Sequence, residues 1–358
     1  MCKINDTRKS MNINEIARRA GVSTATVSRV INGSSKVTSK TADRVLSIVH
    51  TLGYHPSSHA RALASGKSRL IGLIISDIVN PFFPELVRSF EEIALENGME
   101  VIVANTGYDS ERMAFNLKRM IQRKAEGVAV MTSEMDKGLF TQLETQKIPV
   151  VFLDTGRKGT HASNIEVDYA KGINEAVEYL VSLGHSRIGF IGGPPEYPSA
   201  RTRRSAFLRC ISKFDLMQHD DFIQTGNFKT DGGEAAMRHL LKLRNRPTAV
   251  LAANDLSAIG ALHAAVHQGL NVPGDLSIIG FDDIDFCQLT YPPLTTIRLS
   301  RKELAEKAFK ALISATSGEP AQGRRYRLGT RLIIRGSAGP CRDKRWNIRG
   351  QSANILSL

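Results

Sequence analysis

From Arg69 onward the sequence alternates between short apolar segments of strand length and amphipathic segments with helical spacing. This alternation predicts parallel sheets with helices on both faces, because a parallel strand is reached through a crossover that is usually a helix. The region is long for one open sheet, so we expect two doubly wound subdomains. The predicted strands are 70–76, 101–104, 128–131, 150–153, 188–192, 249–252 and 276–280, and the predicted helices are 83–97, 111–124, 171–183, 200–213, 232–243 and 255–268.

Before Arg69 the pattern is helical with short loops. A first helix starts at a capping box at Asn12 and ends at Gly21, and Ser23 caps a second helix. The small Ala17 allows the two helices to cross closely, and Gly21 permits the tight turn of a helix-turn-helix. A third helix follows and is expected to turn five side chains inward: Ala42, Val45, Leu46, Val49 and Leu52.

The net charge of +13 is unevenly distributed. Residues 1–69 hold 12 Lys and Arg against 3 Asp and Glu, residues 324–358 hold 9 against 1, and the body between them is mildly acidic. A basic segment that contains a helix-turn-helix favours a nucleic-acid partner over the alternative, a three-helix bundle without a ligand. The second helix also has a polar outer face, formed by Thr24, Ala25, Thr26, Ser28 and Arg29.

Residues 13–33, INEIARRAGVSTATVSRVING, closely resemble the head of the LacI/GalR family of transcriptional regulators. The similarity continues in order to about residue 337, through the segments 53–56, 60–63, 71–83, 253–255, 273–283 and 293–297. The resemblance implies an all-α helix-turn-helix head, a hinge, and an α/β sensor of the type I periplasmic-binding-protein-like fold, with two doubly wound parallel-sheet subdomains around a cleft.

The resemblance further implies a sequence-specific repressor that binds double-stranded operator DNA as a homodimer or a higher oligomer. The operator would be near-palindromic, and a small effector, a sugar or sugar derivative, would control binding allosterically as inducer or as co-repressor.

Carried over from the family, Thr24, Ala25 and Arg29 take the base-reading positions, and Arg29 would pair with a guanine edge. Leu63 matches a hinge leucine that enters the minor groove and kinks the DNA. The side chain of Ala25 has no hydrogen-bonding group, so base reading by Thr24 and Ala25 is expected to be weaker. The outer bases of the operator are therefore not predicted. The positions expected near phosphates are Ser23, Thr26, Ser28 and Asn32.

In the sensor, polar and aromatic residues follow the carboxyl ends of predicted strands, where ligands bind in such sheets. Carboxylates, an amide, an arginine and an aromatic face suit a polyhydroxylated effector. We expect Arg203 and Asp282 on opposite walls of the cleft, and Asp255 has a competing interpretation as a helix N-cap. The candidate effector-binding residues are Asp77, Asn80, Phe82, Asp154, Ser199, Arg203, Asn254, Asp255 and Asp282.

No catalytic, cofactor or metal site is predicted. The segment 64–68 lacks the earlier glycine of a phosphate loop, and 189–193 does not match G-x-G-x-x-G. The four cysteines have no framework spacing and indicate reduced thiols. No membrane span or signal peptide is expected, which argues against a transport-type solute-binding protein and favours the cytoplasm.

The expected organisation has five parts along the chain. They are an N-terminal extension at 1–10, the DNA-binding head at 11–56, a hinge helix and linker at 57–68, the ligand-sensing and dimerisation domain at 69–337, and a loosely ordered basic tail at 338–358.

Overall fold

The computed structural model describes residues 13–31, 34, 36–54, 67–132, 137–154, 159–316 and 323–342. The chain divides into two compact units, residues 1–68 and 69–358. Several predictions fall outside the described residues: the extension 1–10, the capping box at Asn12, Asn32, most of the hinge with Leu63, and the tail beyond Arg342.

The first unit contains the three predicted helices, α1 (Ile13–Ala20), α2 (Thr24–Ile31) and α3 (Ser39–Thr51). Gly21 has a φ of 61°, which lets the chain turn between α1 and α2. Ser23 caps α2 as expected, since its Oγ accepts the amide N–H of Thr26 at 3.2 Å. The core of this unit is built from Ile16, Ala17, Ala20, Val27, Val30 and Val45.

The prediction that Leu46 points inward is wrong. Val45 is fully buried, whereas Leu46 is 49% exposed. Neighbouring residues of a helix point about 100° apart, so a narrow core can take one of the two but not both.

The second unit contains two six-stranded sheets, as the strand–helix alternation predicts. The first has the order β11-β5-β4-β3-β1-β2, and all of its pairs are parallel. Its strands are β1 (Leu70–Ile75), β2 (Glu100–Asn105), β3 (Gly127–Met131), β4 (Val150–Leu153), β5 (Ala162–Val167) and β11 (Arg325–Leu328).

The second sheet has the order β12-β10-β9-β8-β6-β7 and is parallel except for the antiparallel edge strand β12. Its central strands are buried along their whole length because helices cover both faces. The strands are β6 (Ile188–Gly192), β7 (Ile223–Thr225), β8 (Ala249–Ala252), β9 (Ser277–Asp282), β10 (Thr295–Leu299) and β12 (Thr330–Ile333).

The helices of this unit flank the two sheets, and the chain crosses between the subdomains after β5, β10 and β11. None of the described helices is long and apolar enough to cross a membrane. The helices are α4 (Phe82–Glu96), α5 (Ser110–Gln122), α6 (Lys137–Thr145), α7 (Tyr169–Ser182), α8 (Pro198–Lys213), α9 (Thr230–Lys242), α10 (Asp255–His267) and α11 (Arg301–Thr316), with short 3-10 helices at Asp220–Phe222 and Asp285–Gln288.

Residues 338–342, expected to belong to a loosely ordered tail, are instead bonded to the second subdomain. The amide N–H of Cys341 donates to the carbonyl of Leu183 at 2.8 Å. The amide N–H of Gly339 donates to Ser277 Oγ at 3.0 Å. These bonds are made by backbone amides, which leave no periodic pattern of side chains in the sequence. The sequence therefore did not show that the segment is ordered.

Candidate functional site

The carboxyl ends of the two sheets face a shared cleft with a cavity of about 200 Å³. In each sheet the strand order reverses at the first strand, β1 or β6, and ligands of doubly wound sheets bind at such switch points. Of the nine predicted residues, seven line the cavity: Asn80, Phe82, Asp154, Ser199, Arg203, Asn254 and Asp282.

Two predicted residues, Asp77 and Asp255, do not line the cavity. Asp77 Oδ1 accepts the amide N–H of Val79 at 3.0 Å and so shapes the turn before α4. Asp255 is fully buried and accepts hydrogen bonds from the Ile284 amide at 2.8 Å and the Thr296 hydroxyl at 2.5 Å. Both carboxylates therefore support neighbouring backbone rather than face the cleft.

Asp255 is not the N-cap of α10 either. The cap is Asn254, whose Oδ1 accepts the amide N–H of Ser257 at 3.1 Å. The other end of the Asn254 amide donates to the carbonyl of Phe228 at 2.8 Å. Asn254 thus joins the start of α10 to the Phe228 wall of the cavity.

Arg203, on α8, is the one cationic side chain among the described residues that line the cavity, and it is only 8% exposed. Its guanidinium carbon lies 4.6 Å from the ring centre of Phe281, 4.7 Å from that of Tyr169 and 5.6 Å from that of Phe228. Its Nη2 lies 3.6 Å from Asp282 Oδ1. Aromatic faces and a carboxylate together offset the cost of burying this charge.

The prediction that Arg203 and Asp282 occupy opposite walls is wrong. Asp282 ends β9 and Arg203 follows β6, so both belong to the second subdomain, where they form an ion pair. Both residues were placed from the sequence only by their position after a strand, and that position does not show which of the two sheets the strand belongs to. The first subdomain contributes the facing wall, including Asn80, Phe82 and Asp154.

Asp154 connects the two walls. It follows β4 of the first sheet with a φ of 54°, and its Oδ2 accepts the hydroxyl of Tyr169, at the start of α7, at 2.5 Å. Its Oδ1 accepts the amide N–H of Val167 at 2.8 Å. Burial raises the pKa of Asp154 and raises the pKa of Tyr169 well above its usual range.

The turn after β9 is a strained part of the site. Asp282 has a φ of 116° and Asp283 a φ of 61°, values that non-glycine residues rarely adopt. Asp283 is held by Arg298 at 2.5 Å and by Arg335 at 2.6 Å. Arg301 donates to the carbonyls of both aspartates at 2.8 Å, so the surrounding structure fixes this backbone.

Burial raises the pKa values of Asp282 and Asp255 together. For Asp255 the neighbouring charge of Asp282 adds to the effect of burial, and for Asp282 the charges of Arg203 and Arg301 oppose it. The charge on one carboxyl therefore opposes ionisation of the other. A neutral ligand hydroxyl would find both donors and acceptors here.

Tyrosines that the sequence analysis missed also span the cleft. Tyr108 follows β2 of the first sheet and stacks on Tyr197, which precedes α8, with ring centres 5.0 Å apart and planes 24° apart. Phe228 continues the stack at 6.4 Å from Tyr197. The sequence does show that Tyr108 follows a strand, which is a position where ligand-binding residues are expected. Its stacking on Tyr197 could not be predicted, because the two residues are far apart in sequence.

The head presents the outer face of α2 to solvent. Ser23, Thr24, Ala25 and Arg29 are exposed, and Thr26 and Ser28 are partly exposed. Arg29 forms no ion pair with a carboxylate in the described part of the chain, whereas Arg18 and Arg19 bond Glu15 at 2.6 and 2.7 Å. Hydrogen bonds from Arg18 and Arg19 lower the pKa of Glu15 to about 2.

Two family models match the chain. Residues 12–57 match the lacI family of bacterial regulatory proteins, and residues 177–338 match a periplasmic binding protein-like domain. The ribose operon repressor of Escherichia coli K12 is 35% identical over 327 residues, which cover 90% of this chain and 98% of that protein.

Solved structures agree with these matches. A lac repressor dimer bound to operator and the anti-inducer ONPF is similar with a TM-score of 0.83 and 27% identity, covering 92% of this chain and 99% of that one. A LacI-family regulator from Enterococcus faecium with bound ribose has a TM-score of 0.68 and 29% identity, covering 76% of this chain and 99% of that one. The chain belongs to the lacI family of bacterial regulatory proteins.

Proposed function

We propose that this protein is a transcriptional repressor whose head binds operator DNA and whose cleft binds a small effector. The observation that carries the proposal is the combination, in one chain, of a helix-turn-helix with an exposed Arg29 face and a cavity lined by rings and paired charges. Repression is the function named for the ribose operon relative. We infer a regulator rather than an enzyme.

We infer that the effector is a monosaccharide, with a pentose as the first candidate. The cavity of about 200 Å³ is smaller than the roughly 300–1,000 Å³ typical of drug-sized ligands. Arg203 and Asp282 supply donors and acceptors, and the Ser76–Thr132 hydroxyl pair, 2.9 Å apart, supplies more. The ribose-bound relative supports a pentose over a larger nucleoside.

On the DNA side, we propose that Arg29 reads a guanine edge and that Thr24 and Ala25 lie against neighbouring bases. Exposure of this face in α2 supports the assignment. The proposed phosphate contacts are Ser23, Thr26, Ser28 and Asn32, and Leu63 remains the proposed minor-groove wedge.

We also propose a homodimer on a near-palindromic operator, in line with the lac repressor dimer. The second subdomain exposes three large apolar side chains close together in sequence, Phe286, Leu289 and Tyr291, and Tyr291 is 94% exposed. A monomer gains nothing from such exposure, whereas a partner copy would cover it. Val79 and Phe115 are similarly exposed in the first subdomain.

We infer that effector binding shifts the balance between open and closed clefts. The contacts that cross between the subdomains include Tyr108 with Tyr197, Asp154 with Tyr169, and Arg301, at the start of α11 on the first sheet, with the carbonyls of Asp282 and Asp283 after β9 at 2.8 Å. Opening the cleft must break or rearrange them, so a ligand that binds both walls favours closure. Coupling of this kind typically changes the binding free energy for the other ligand, here the operator, by about 1–3 kcal/mol.

The test uses the full-length protein and a near-palindromic duplex selected with it from a randomised pool. Thermal-shift screening of pentoses, hexoses and nucleosides identifies the effector by the stability that binding adds. Operator affinity is then measured with and without that compound, in wild type and in Asp282→Asn.

We expect a pentose to raise the melting temperature of wild type, to change its operator affinity severalfold or more, and to do neither in Asp282→Asn. A pentose that binds without changing operator affinity would refute the sensor role. Equal binding in Asp282→Asn would refute the assignment of the cleft.

A further inference from the structure

A second cavity, of about 790 Å³, lies at the opposite end of the second sheet from the effector cleft. Arg187, Thr248 and Leu276 line it, and each of them immediately precedes one of the strands β6, β8 and β9. The cavity therefore lies at the amino ends of these strands. Its volume falls in the range of small-molecule sites.

Arginine dominates the lining of this cavity. Arg187, Arg244, Arg246 and Arg342 line it, and Asp275 is the one acidic residue among its described lining residues. Asp275 Oδ2 already accepts the amide N–H of Asn271 at 2.8 Å. The cavity therefore carries a clear excess of positive charge.

Three of these four arginines have donors available. Within the described ranges, Arg244, Arg246 and Arg342 form no ion pair with a carboxylate, and Arg246 Nη1 is buried without a hydrogen-bond partner. Leaving a buried charged donor unsatisfied costs about 1–3 kcal/mol or more. The exposed side chains of Arg244 and Arg342 can donate to an anion placed in the cavity.

The cavity wall is held in place by a separate hydrogen-bond network. His185, only 3% exposed, has Nδ1 2.9 Å from Thr248 Oγ1 and Nε2 3.0 Å from the carbonyl oxygen of Gly339. Arg187 Nε donates to the carbonyl of Arg246 at 3.1 Å. Burial lowers the pKa of His185, so the imidazole acts as a neutral link and the arginines provide the charge.

We propose that this cavity binds a phosphorylated small molecule without an aromatic ring. Guanidinium groups match phosphate oxygens in paired hydrogen bonds, which favours a phosphoryl group over a point anion. Among the described lining residues there is no Phe, Tyr or Trp on which a nucleobase could stack. Leu243 and Pro247 offer an aliphatic wall for the rest of the molecule.

The proposal is tested by calorimetric titration of the full-length protein with glycerol 3-phosphate, with inorganic phosphate and citrate as further probes and glycerol as the uncharged control. Because the basic head can also attract anions, site variants decide the result. They are Arg246→Met and Arg244→Met, with Arg209→Met, an exposed arginine of α8, as the matched control.

We expect saturable binding of glycerol 3-phosphate, weakened at least about tenfold by either cavity variant and unchanged by Arg209→Met, a difference of ~1.4 kcal/mol. Arg244 is exposed, so Arg244→Met keeps the test valid even if loss of the half-buried Arg246 disturbs folding.

The absence of saturable binding up to about 10 mM would overturn the proposal. So would binding as tight as wild type in both cavity variants, or a loss in Arg209→Met as large as the loss in the cavity variants. Stronger binding of citrate than of glycerol 3-phosphate would reject the phosphoryl assignment.

Discussion

The head and the sensor expose their functional side chains in opposite ways. In the head, Arg29 and its neighbours project from the outer face of an eight-residue helix, over a small core. In the sensor, Arg203 and Asp282 are buried, paired and packed against aromatic rings. The head therefore presents its candidate DNA-contacting side chains on an open surface, whereas the sensor holds its candidate ligand contacts in a cleft between two subdomains.

A substitution at Arg203 tests this difference between head and sensor, and it is expected to have a large effect on effector binding. Arg203→Met should weaken effector binding by about 100-fold or more, because it removes a buried donor and leaves Asp282 without its nearest cation. Operator binding without effector should remain, since the head is unchanged. Calorimetry with the identified sugar and a DNA-binding assay measure the two effects.

Arg203→Lys and Arg209→Met are the controls for this experiment. Lysine keeps the charge but loses the planar contact with the three rings, so an intermediate affinity is expected. Arg209, exposed on the same helix, should be neutral. An effector affinity within threefold of wild type in Arg203→Met would show that the cavity is not the effector site.

A comparable effect, on DNA binding rather than on effector binding, is expected at Arg29. Arg29→Ala should weaken operator binding by about 1–3 kcal/mol per half-site and relax the preference for one guanine, with no change in effector affinity. Arg29→Lys keeps the charge and should lose base preference more than overall affinity. An equal loss on all duplexes, measured by competition with single-base variants, would instead indicate a phosphate contact.

The sequence predicted the head and the sensor to different extents, because the contacts that form them differ in sequence separation. In the head, the turn at Gly21 and the cap at Ser23 depend on residues within a few positions of each other, and the structure confirms both. Leu46 was wrongly predicted to point inward, because the spacing of apolar residues along α3 does not show how narrow the core is.

In the sensor, strand ends correctly placed Asn80 and Asp154 at one cleft. The pairing of Arg203 with Asp282 and the stacking of Tyr108 on Tyr197 depend on contacts distant in sequence, and periodicity carries no information about them. Strands of the sensor with mixed polar sequences, such as β5 and β10, were missed for a related reason. Their burial depends on what packs over them.

A further effect is expected at Asp255, the buried carboxyl behind the cleft. Its raised pKa means that, between the usual aspartate value and the raised one, the folded protein keeps a proton that the unfolded chain has lost. The folded state then binds more protons than the unfolded state, so stability falls as pH rises through this window. Asp255→Asn does not titrate and should lack this contribution.

The stability of wild type relative to Asp255→Asn should therefore decrease between roughly pH 5 and pH 8, by at most about 1.4 kcal/mol for each pH unit. Urea unfolding of both proteins, followed by a signal from the sensor, measures the difference. Asp285→Asn, at an exposed position three residues after the end of β9, serves as the matched control and should show little change. If wild type instead gains stability over Asp255→Asn as pH rises, Asp255 is ionised in the folded protein. Its hydrogen bonds from Thr296 and Ile284 would then outweigh both burial and repulsion by Asp282.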